Sequence, residues 1–457
     1  MNRNTVLGTC ALGLLLLLGL LVSQQETVVF DSSSVESESG KPPHLQIATF
    51  DSVTPHSLMA SSPPAKTDII QLANANNRFG FDLLTQIEAQ SPLHRAESTV
   101  PAVTSSESPN QNMMISPPSV ALALAMVRNG TAGDTLTEID RVLNLDLDTQ
   151  NINPSYAQLR ATLTNTDTDD VELAIANSLW VNQNITLKDQ YLNIAQEFYD
   201  AQVSNLDFAN VAVKNTINQW VADNTNNKIP EIIDAVNPDD AMYLVNAIYF
   251  KGSWSQKFDA DATSQQPFER SPEASKTVAM MSQTGEYSYY ENEQFQAVRL
   301  PYGEGKLGMY IFLPQTSSSL EQFQQQLNLD NWQEWLENMR SQAGNISLPK
   351  FTLEYDTELS DILQALGMQQ VFIPLQADFS RLTDSPVAID TVKHKTVIEV
   401  NEEGSEAAGV TSIGVRITSA IPETQPFDFN VNRPFFFAIC DETTESILFM
   451  GNVFDPQ

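Results

Sequence analysis

The sequence predicts an α+β fold, with most helices in the first half of the chain and most strands in the second. Two observations support this prediction. In the first half, apolar residues such as Phe79, Leu83 and Ile87 recur at the spacing of an amphipathic helix. From Ala241 onward, short apolar runs that are typical of strands dominate instead. With 457 residues and 42% hydrophobic content, the chain can hold one large domain or two or three ordinary ones.

The same periodicity locates the other elements in chain order. A helix is predicted after Pro117-Pro118, with Ser119 as its cap. Two more helices are predicted over 190–201 and 213–224, and strands over 242–250, 296–301, 308–313 and 345–351. A further strand at 392–400 alternates at period two, and one of its faces carries Val392, His394, Thr396, Ile398 and Val400.

The charge of the chain excludes some partners. It has 57 acidic and 24 basic residues, a net charge of −33. So negative a protein is repelled by phosphate backbones and by anionic lipid. We therefore expect no nucleic-acid partner.

Residues 1–23 have the features of an export signal. Arg3 supplies the positive charge, and Val6 to Val22 is almost entirely apolar. An apolar run of about 17 residues can also remain in the membrane as a marginal anchor. We expect a secreted or extracytoplasmic protein, extracellular or periplasmic, whose membrane contact is limited to this anchor. Removal of the signal would leave Cys440 as the only cysteine, so no intrachain disulfide is predicted.

Composition divides the rest of the chain. Residues 24–66 are rich in Ser, Thr and Pro and are predicted to form a disordered tether. The folded domain is predicted over 67–457. Within it, a Ser/Pro/Thr-rich stretch at about 90–111 is predicted to be a surface insertion.

No catalytic or metal site is predicted. Of the four histidines, only His394 falls in a region predicted to fold, because His44, His56 and His94 lie in the tether or the insertion. The place of His394 on an apolar strand face favours a buried, hydrogen-bonded histidine over a catalytic base. The acidic run at 166–170 lacks the glycine and the terminal glutamate of a calcium loop. We expect no enzyme activity, no cofactor and no bound metal.

The segment after the strand at 392–400 is the most informative part of the chain. It begins Asn401-Glu402-Glu403-Gly404-Ser405-Glu406-Ala407-Ala408-Gly409, and mostly small or apolar residues continue to Ala420. No Pro appears before Pro422. Such a segment can be added to a sheet as a strand. A new apolar strand then begins at Asn432-Arg433-Pro434-Phe435.

This order of segments resembles the reactive-centre region of the serpins, the suicide inhibitors of proteases. Further segments match the serpin pattern in the same order: Ile115 to Met126, Ala176 to Trp180, Asn246 to Trp254, Leu348 to Phe351 and Phe449 to Val453. The resemblance spans residues 68–457. It implies helices packed around a central mixed sheet A, two further sheets and an exposed reactive-centre loop.

The resemblance also implies the site residues. A buried polar cluster under sheet A, called the shutter, would consist of Ser116, Ser119, Asn177, Asn246 and His394. The breach, at the top of the sheet, would contain Trp254, Lys350 and Glu402. The hinge of the loop would be Glu402, Gly404, Ser405, Glu406, Ala407 and Ala408. The register from the hinge places the reactive bond at Thr418-Ser419, with Arg416-Ile417 as the alternative.

The function that the resemblance implies is suicide inhibition by a monomer, with a serine or cysteine protease as the partner. The cleaved loop would insert into sheet A with alternate residues facing the core: Ser405, Ala407, Gly409, Thr411, Ile413 and Val415. None of these residues is charged, bulky and polar, or Pro, which favours an inhibitor. The alternative is a non-inhibitory serpin that acts as a binding or structural protein.

Overall fold

The structure, a computed structural model, describes residues 63–90, 111–164, 170–271, 273–405 and 425–456. All of them fall in one unit of the chain, residues 62–457. The predicted export signal, nearly all of the tether and of the insertion, and residues 406–424 of the loop lie outside the described residues.

The described chain contains helices together with a mixed sheet and a further network of strands, which confirms the α+β class. The helices are α1 (Lys66–Gln90), α2 (Pro117–Arg128), α3 (Gly133–Val142), α4 (Thr149–Thr164), α5 (Asp189–Tyr199), α6 (Val213–Asn224), α7 (Leu320–Gln324), α8 (Leu329–Asn338) and α9 (Ser360–Ala365). Short 3₁₀ turns lie at Ala260–Ala262 and Gln370–Phe372. None of the described helices has both the length and the apolar character that crossing a membrane requires.

Strands lie close to the predicted positions 242–250, 296–301, 308–313 and 392–400, and further strands, one of them 18 residues long, were not predicted. The described strands are β1 (Met113–Ile115), β2 (Val171–Asn182), β3 (Gln202–Leu206), β4 (Met242–Ser253), β5 (Ser264–Ser271), β6 (Ala274–Glu291), β7 (Phe295–Tyr302), β8 (Leu307–Pro314), β9 (Arg340–Pro349), β10 (Phe351–Glu358), β11 (Thr391–Val400), β12 (Gly404–Ser405), β13 (Phe427–Asn430), β14 (Phe435–Asp441) and β15 (Ser446–Val453). Because β2 and β3 lie in the first half and α7 to α9 in the second, helices and strands are less separated than the sequence suggested.

Six strands form sheet A in the order β10-β11-β12-β4-β2-β3. The sheet is mixed, because β11 runs parallel to β4 whereas β10 and β2 are antiparallel to their neighbours β11 and β4. The short strand β12 lies between one end of β11 and one end of β4.

The remaining strands form a second hydrogen-bonded network, in the order β1-β15-β14-β8-β7-β6-β9-β13 with β5 beside β6. The resemblance implied two further sheets here. In the structure they are joined by β6, which has 18 residues. One part of β6 pairs with β5, the middle with β9 and the far end with β7.

The cap predicted for the second helix is wrong. Helix α2 begins at Pro117, and Ser116 rather than Ser119 occupies the N-cap position. Proline suits the first helical position because its missing N–H has no intrahelical partner there. All twelve residues of α2 are buried. The helix contacts both β15 and β4, so it lies between the two sheets and brings Ser119 under sheet A.

The strand predicted over 345–351 is two strands. Strand β9 ends at Pro349 in one network, and β10 begins at Phe351 in sheet A. The apolar run continues across the break because Leu348, Pro349 and Phe351 are all buried, each against its own sheet. The apolar pattern therefore did not reveal that the chain passes from one sheet to the other at Lys350.

Candidate functional site

The middle of sheet A is a parallel pair of strands, β4 and β11. In their register, His394 lies opposite Asn246 and Val397 opposite Tyr249. The predicted inward face of β11 is buried throughout: Val392, His394, Thr396, Ile398 and Val400 are each at most 2% exposed. The strand face that the alternation predicted is thus present.

His394 links α2 to both central strands. Its Nε2 accepts a hydrogen bond of 3.2 Å from the backbone N–H of Ser116, so the ring proton lies on Nδ1. Nδ1 donates to the side-chain oxygen of Asn246 at 2.6 Å. Burial lowers the pKa of His394 to about 3, because the cationic form would lose its hydration. The imidazole is therefore neutral at physiological pH.

Asn246 extends this cluster across the sheet. Its side-chain nitrogen lies 2.6 Å from Asn177 Oδ1 on β2 and 2.6 Å from Ser119 Oγ on α2. The structure thus brings all five residues of the predicted shutter together. Ser116 takes part through its backbone, and its hydroxyl has no hydrogen-bond partner among the described residues.

A tight turn carries the chain from β11 into β12. The amide of Asn401 donates to the carbonyl of Gly404 at 2.8 Å, and the reverse bond measures 3.2 Å. Gly404 has φ of 153°, and a Cβ at this position would lie 2.0 Å from the carbonyl oxygen of Gly252 on β4. The hinge glycine is thus required by the close approach of two backbones.

Ser405 is already inside sheet A. It lies opposite Val400 of β11 and opposite Gly252 of β4, and it is fully buried. Its hydroxyl is 2.6 Å from the hydroxyl of Tyr302. Burial raises the pKa of Tyr302, so this phenol stays protonated and can donate. One side chain of the hinge, that of Ser405, therefore already lies in the core.

Tyr302, at the end of β7, was missed by the sequence reasoning. Its ring stacks on Trp254, with centroids 4.4 Å apart and planes 12° from parallel. It also meets Phe250 edge-on at 5.2 Å. No local pattern marks Tyr302 as a partner of the loop, because β7 belongs to the other sheet and reaches Ser405 only in the folded chain.

The predicted breach residues lie around the turn. Lys350 Nζ forms an ion pair with Glu402 at 2.8 Å, and the Thr263 hydroxyl donates to the same carboxylate at 2.8 Å. Burial opposes the ionisation of Glu402, but these hydrogen bonds outweigh it and hold the pKa of that carboxyl below its usual value. Trp254 Nε1 donates to the carbonyl of Asn401 at 2.9 Å.

A second ion pair at the turn was not predicted. Lys257, on the segment after β4, pairs with Glu403. Lys257 and Lys350 come from different parts of the chain, so the two neighbouring glutamates are held by separate cations. The sequence pattern named only Glu402 as a partner.

The remaining predicted site residues cannot be placed. Hinge residues Glu406, Ala407 and Ala408 lie outside the described residues, as do both candidate reactive bonds, Thr418-Ser419 and Arg416-Ile417. In the part of the chain that the structure describes, no group of three or more His, Cys, Asp or Glu side chains is arranged to hold a metal ion.

Comparison with known proteins agrees with this geometry. The family described as "Serpin (serine protease inhibitor)" matches residues 74–456. An uncharacterized serpin-like protein of Thermococcus kodakarensis is 33% identical over 412 residues, 88% of this chain and 91% of that protein. The leukocyte elastase inhibitor of Homo sapiens is 33% identical over 399 residues, 84% of this chain and 100% of that protein.

Solved structures show the same fold. The thermophilic serpin tengpin in its native state has a TM-score of 0.73 and 28% identity, covering 84% of this chain and 94% of that one. Human thyroxine-binding globulin in complex with thyroxine has a TM-score of 0.74 and 25% identity, covering 85% of this chain and 100% of that one. The similarity therefore includes both an elastase inhibitor and a thyroxine-binding protein.

Proposed function

The chain belongs to the serpin family, and we propose that it is a suicide inhibitor of serine or cysteine proteases. The nucleophile of the protease would attack the carbonyl carbon of Thr418. The bond to Ser419 would break, leaving an ester or thioester between the protease and the loop. The cleaved loop would then insert between β11 and β4 before water can release the enzyme.

The observation that carries this proposal is the position of β12. Gly404 and Ser405 pair with β11 on one side and with β4 on the other. Below them, β11 and β4 pair directly with each other. The sheet thus holds the beginning of an additional strand in the slot that insertion would extend, and the residues that would follow on the inward face are uncharged.

The free energy released by loop insertion is large enough to distort a trapped protease. A strand of about a dozen residues would form one ladder of hydrogen bonds on each side and replace the single β11–β4 ladder, a gain of roughly ten backbone hydrogen bonds, each worth about 0.5 to 1.5 kcal/mol net. This amounts to about 10 kcal/mol, comparable to the whole stability of a typical domain. Insertion can therefore drive distortion of a trapped protease.

A non-inhibitory role is the alternative. The structural neighbour thyroxine-binding globulin is known in complex with thyroxine, so the fold also supports ligand binding. Thermal unfolding of intact and loop-cleaved protein separates the two functions. An inhibitor should gain greatly in melting temperature on cleavage, because only its loop inserts.

Ser405→Arg tests the proposal directly. The parent protein should form a covalent complex with elastase, subtilisin or trypsin that survives boiling in detergent. Ser405→Arg should be cleaved as a substrate instead, because the buried site would have to desolvate a guanidinium. Glu406→Arg is the matched control, since alternation places residue 406 on the opposite face of the inserted strand. Equal inhibition by Ser405→Arg and the parent would contradict the insertion mechanism.

A further inference from the structure

The segment Trp254–Phe258, which directly follows β4, holds three consecutive carbonyls of the hinge turn. Trp254 donates its indole N–H to Asn401 at 2.9 Å and its backbone N–H to Glu403 at 2.9 Å. The backbone N–H of Phe258 donates to the carbonyl of Glu402 at 3.0 Å. Each carbonyl from residue 401 to 403 therefore has a donor on this one segment, which we call the platform (residues 254–258).

The platform also holds the turn by charge. Lys257 pairs with Glu403, and the two side chains are 34% and 35% exposed. The backbone N–H of Glu403 donates to the side-chain oxygen of Asn401 at 3.0 Å, which fixes the turn internally. Lys257 directly precedes Phe258 in the platform, so its ion pair with Glu403 holds the turn close to the platform's three donors, which are the indole N–H of Trp254 and the backbone N–H groups of Trp254 and Phe258.

The position of the turn determines where β12 lies. Gly404 and Ser405 come directly after Glu403, and both are paired in sheet A. The hydroxyl of Ser405 is held by a hydrogen bond with the hydroxyl of Tyr302. The first two residues of the strand that would insert are thus held between the platform and Tyr302.

We propose that the platform docks the hinge turn before cleavage, and that Lys257 is a positioning residue for loop insertion. This inference rests on the proposed function. Ordering the backbone of each new strand residue is entropically unfavourable, so the first pairings are the slow part of adding a strand. With residues 404 and 405 already paired, insertion begins from an existing nucleus.

The consequence concerns a competition between two steps. After acylation, the loop either inserts or water hydrolyses the ester bond to the protease. Insertion is faster when it starts from an ordered hinge, so a larger fraction of the acylated protease is trapped before the ester is hydrolysed. Lys257 should therefore affect the fraction of encounters that end in a covalent complex and leave the rate of acylation unchanged.

Hydrogen exchange of the intact protein is the first test. Amide exchange of residues 403–405, measured by mass spectrometry, should accelerate about fivefold in Lys257→Met, the factor expected for loss of one partly exposed ion pair. Lys306→Met is the control, because Lys306 pairs only weakly with Glu304 at 3.7 Å and the two side chains are 73% and 68% exposed. If exchange in Lys257→Met stayed within the range of the control, the proposal that Lys257 holds the hinge turn on the platform would be wrong.

The second test measures the outcome of inhibition. Lys257→Met should need more inhibitor per protease molecule inactivated, while its second-order rate of acylation stays equal to that of the parent. The charge swap Lys257→Glu with Glu403→Lys should restore both the stoichiometry and the exchange protection, whereas either single change should not. A swap that fails to restore them would show that Lys257 does not act through Glu403.

The two tests also separate this inference from the proposed function. If the parent forms no covalent complex with any protease, inhibition is excluded, but hydrogen exchange still decides whether the platform holds the hinge. If the parent inhibits and Lys257→Met raises exchange without changing the stoichiometry, the positioning role of Lys257 is wrong while inhibition stands.

Discussion

The Nδ1 atom of His394 lies 2.6 Å from the side-chain oxygen of Asn246, and the two residues are directly opposite each other on β11 and β4. Neighbouring strands in a sheet are about 4.8 Å apart, so a strand inserted between them roughly doubles that separation. The hydrogen bond cannot survive such a movement. This contact therefore joins the two strands that must part, and it must break whenever the sheet opens.

Replacing His394 should weaken this junction. In His394→Ala, the amide of Ser116 and the side-chain oxygen of Asn246 lose their partner in a buried site. The free energy of unfolding should fall by about 2 to 4 kcal/mol. Polymers should also form after mild heating, because separated strands can accept the loop of another molecule. Thermal unfolding and size-exclusion chromatography measure both effects.

Thr396→Val is the matched control for His394→Ala. Thr396 is buried on the same face of β11, but its hydroxyl donates to the carbonyl of Met114 and does not connect β11 to β4. It should lose stability without polymerising. Unchanged melting and no polymers in His394→Ala would remove the role of this residue in the junction.

Glu88 should make the stability of the protein depend on pH. Its carboxylate accepts hydrogen bonds from Gln324 and from Asn452, and burial is the main cause that raises its pKa to about 7. Between the unfolded pKa of 4.5 and about 7, the folded state binds more protons than the unfolded state. The contribution of Glu88 to the free energy of unfolding is therefore fully present below pH 4.5 and is lost as the pH rises through about 7.

The measurement is urea unfolding at pH 5 and pH 8. From pH 5 to pH 8, the parent should lose about 2 kcal/mol more than Glu88→Gln, which has no titrating group at this position. Glu334→Gln, at an exposed position on α8, should keep the pH dependence of the parent. An equal loss in the parent and in Glu88→Gln would contradict the raised pKa.

The two hydroxyls of Tyr302 and Ser405 should be energetically coupled. Tyr302→Phe leaves the Ser405 hydroxyl buried without this partner, and Ser405→Ala does the same to Tyr302. Each single change should lower the free energy of unfolding by about 1 to 2 kcal/mol. The double variant should lose little more than either single one, because no polar group is then left unpaired. Additive losses in urea unfolding would exclude the bond.

The reactive bond should be Thr418-Ser419. Cleavage there by an inhibited elastase-like or subtilisin-like protease would release the 39-residue peptide 419–457. The alternative, Arg416-Ile417, would release the 41-residue peptide 417–457 and would suit a trypsin-like protease, whose pocket has an acid at its base. Mass spectrometry of the peptide distinguishes the two. Arg416→Ala should leave inhibition intact, and a loss of inhibition would identify Arg416 as the reactive residue.

Local sequence patterns were sufficient for much of the fold. The period-two alternation of β11 predicted its buried face, and helix α6 has the predicted bounds, Val213–Asn224. These features could be predicted because the residues that define them are adjacent in the chain. The members of the His394 cluster were also named in advance, through segments that resemble serpins and not through any physical argument about distance.

The details of the hinge were decided by tertiary structure alone. Tyr302 is 103 residues before Ser405, and Lys257 is 146 residues before Glu403. Whether such residues meet depends on the register of sheet A and on how the end of β7 lies against it. A one-residue shift of a strand would turn its side chains to the other face. The sequence contains no local signal for that register, so only the packed structure shows which side chains hold the loop.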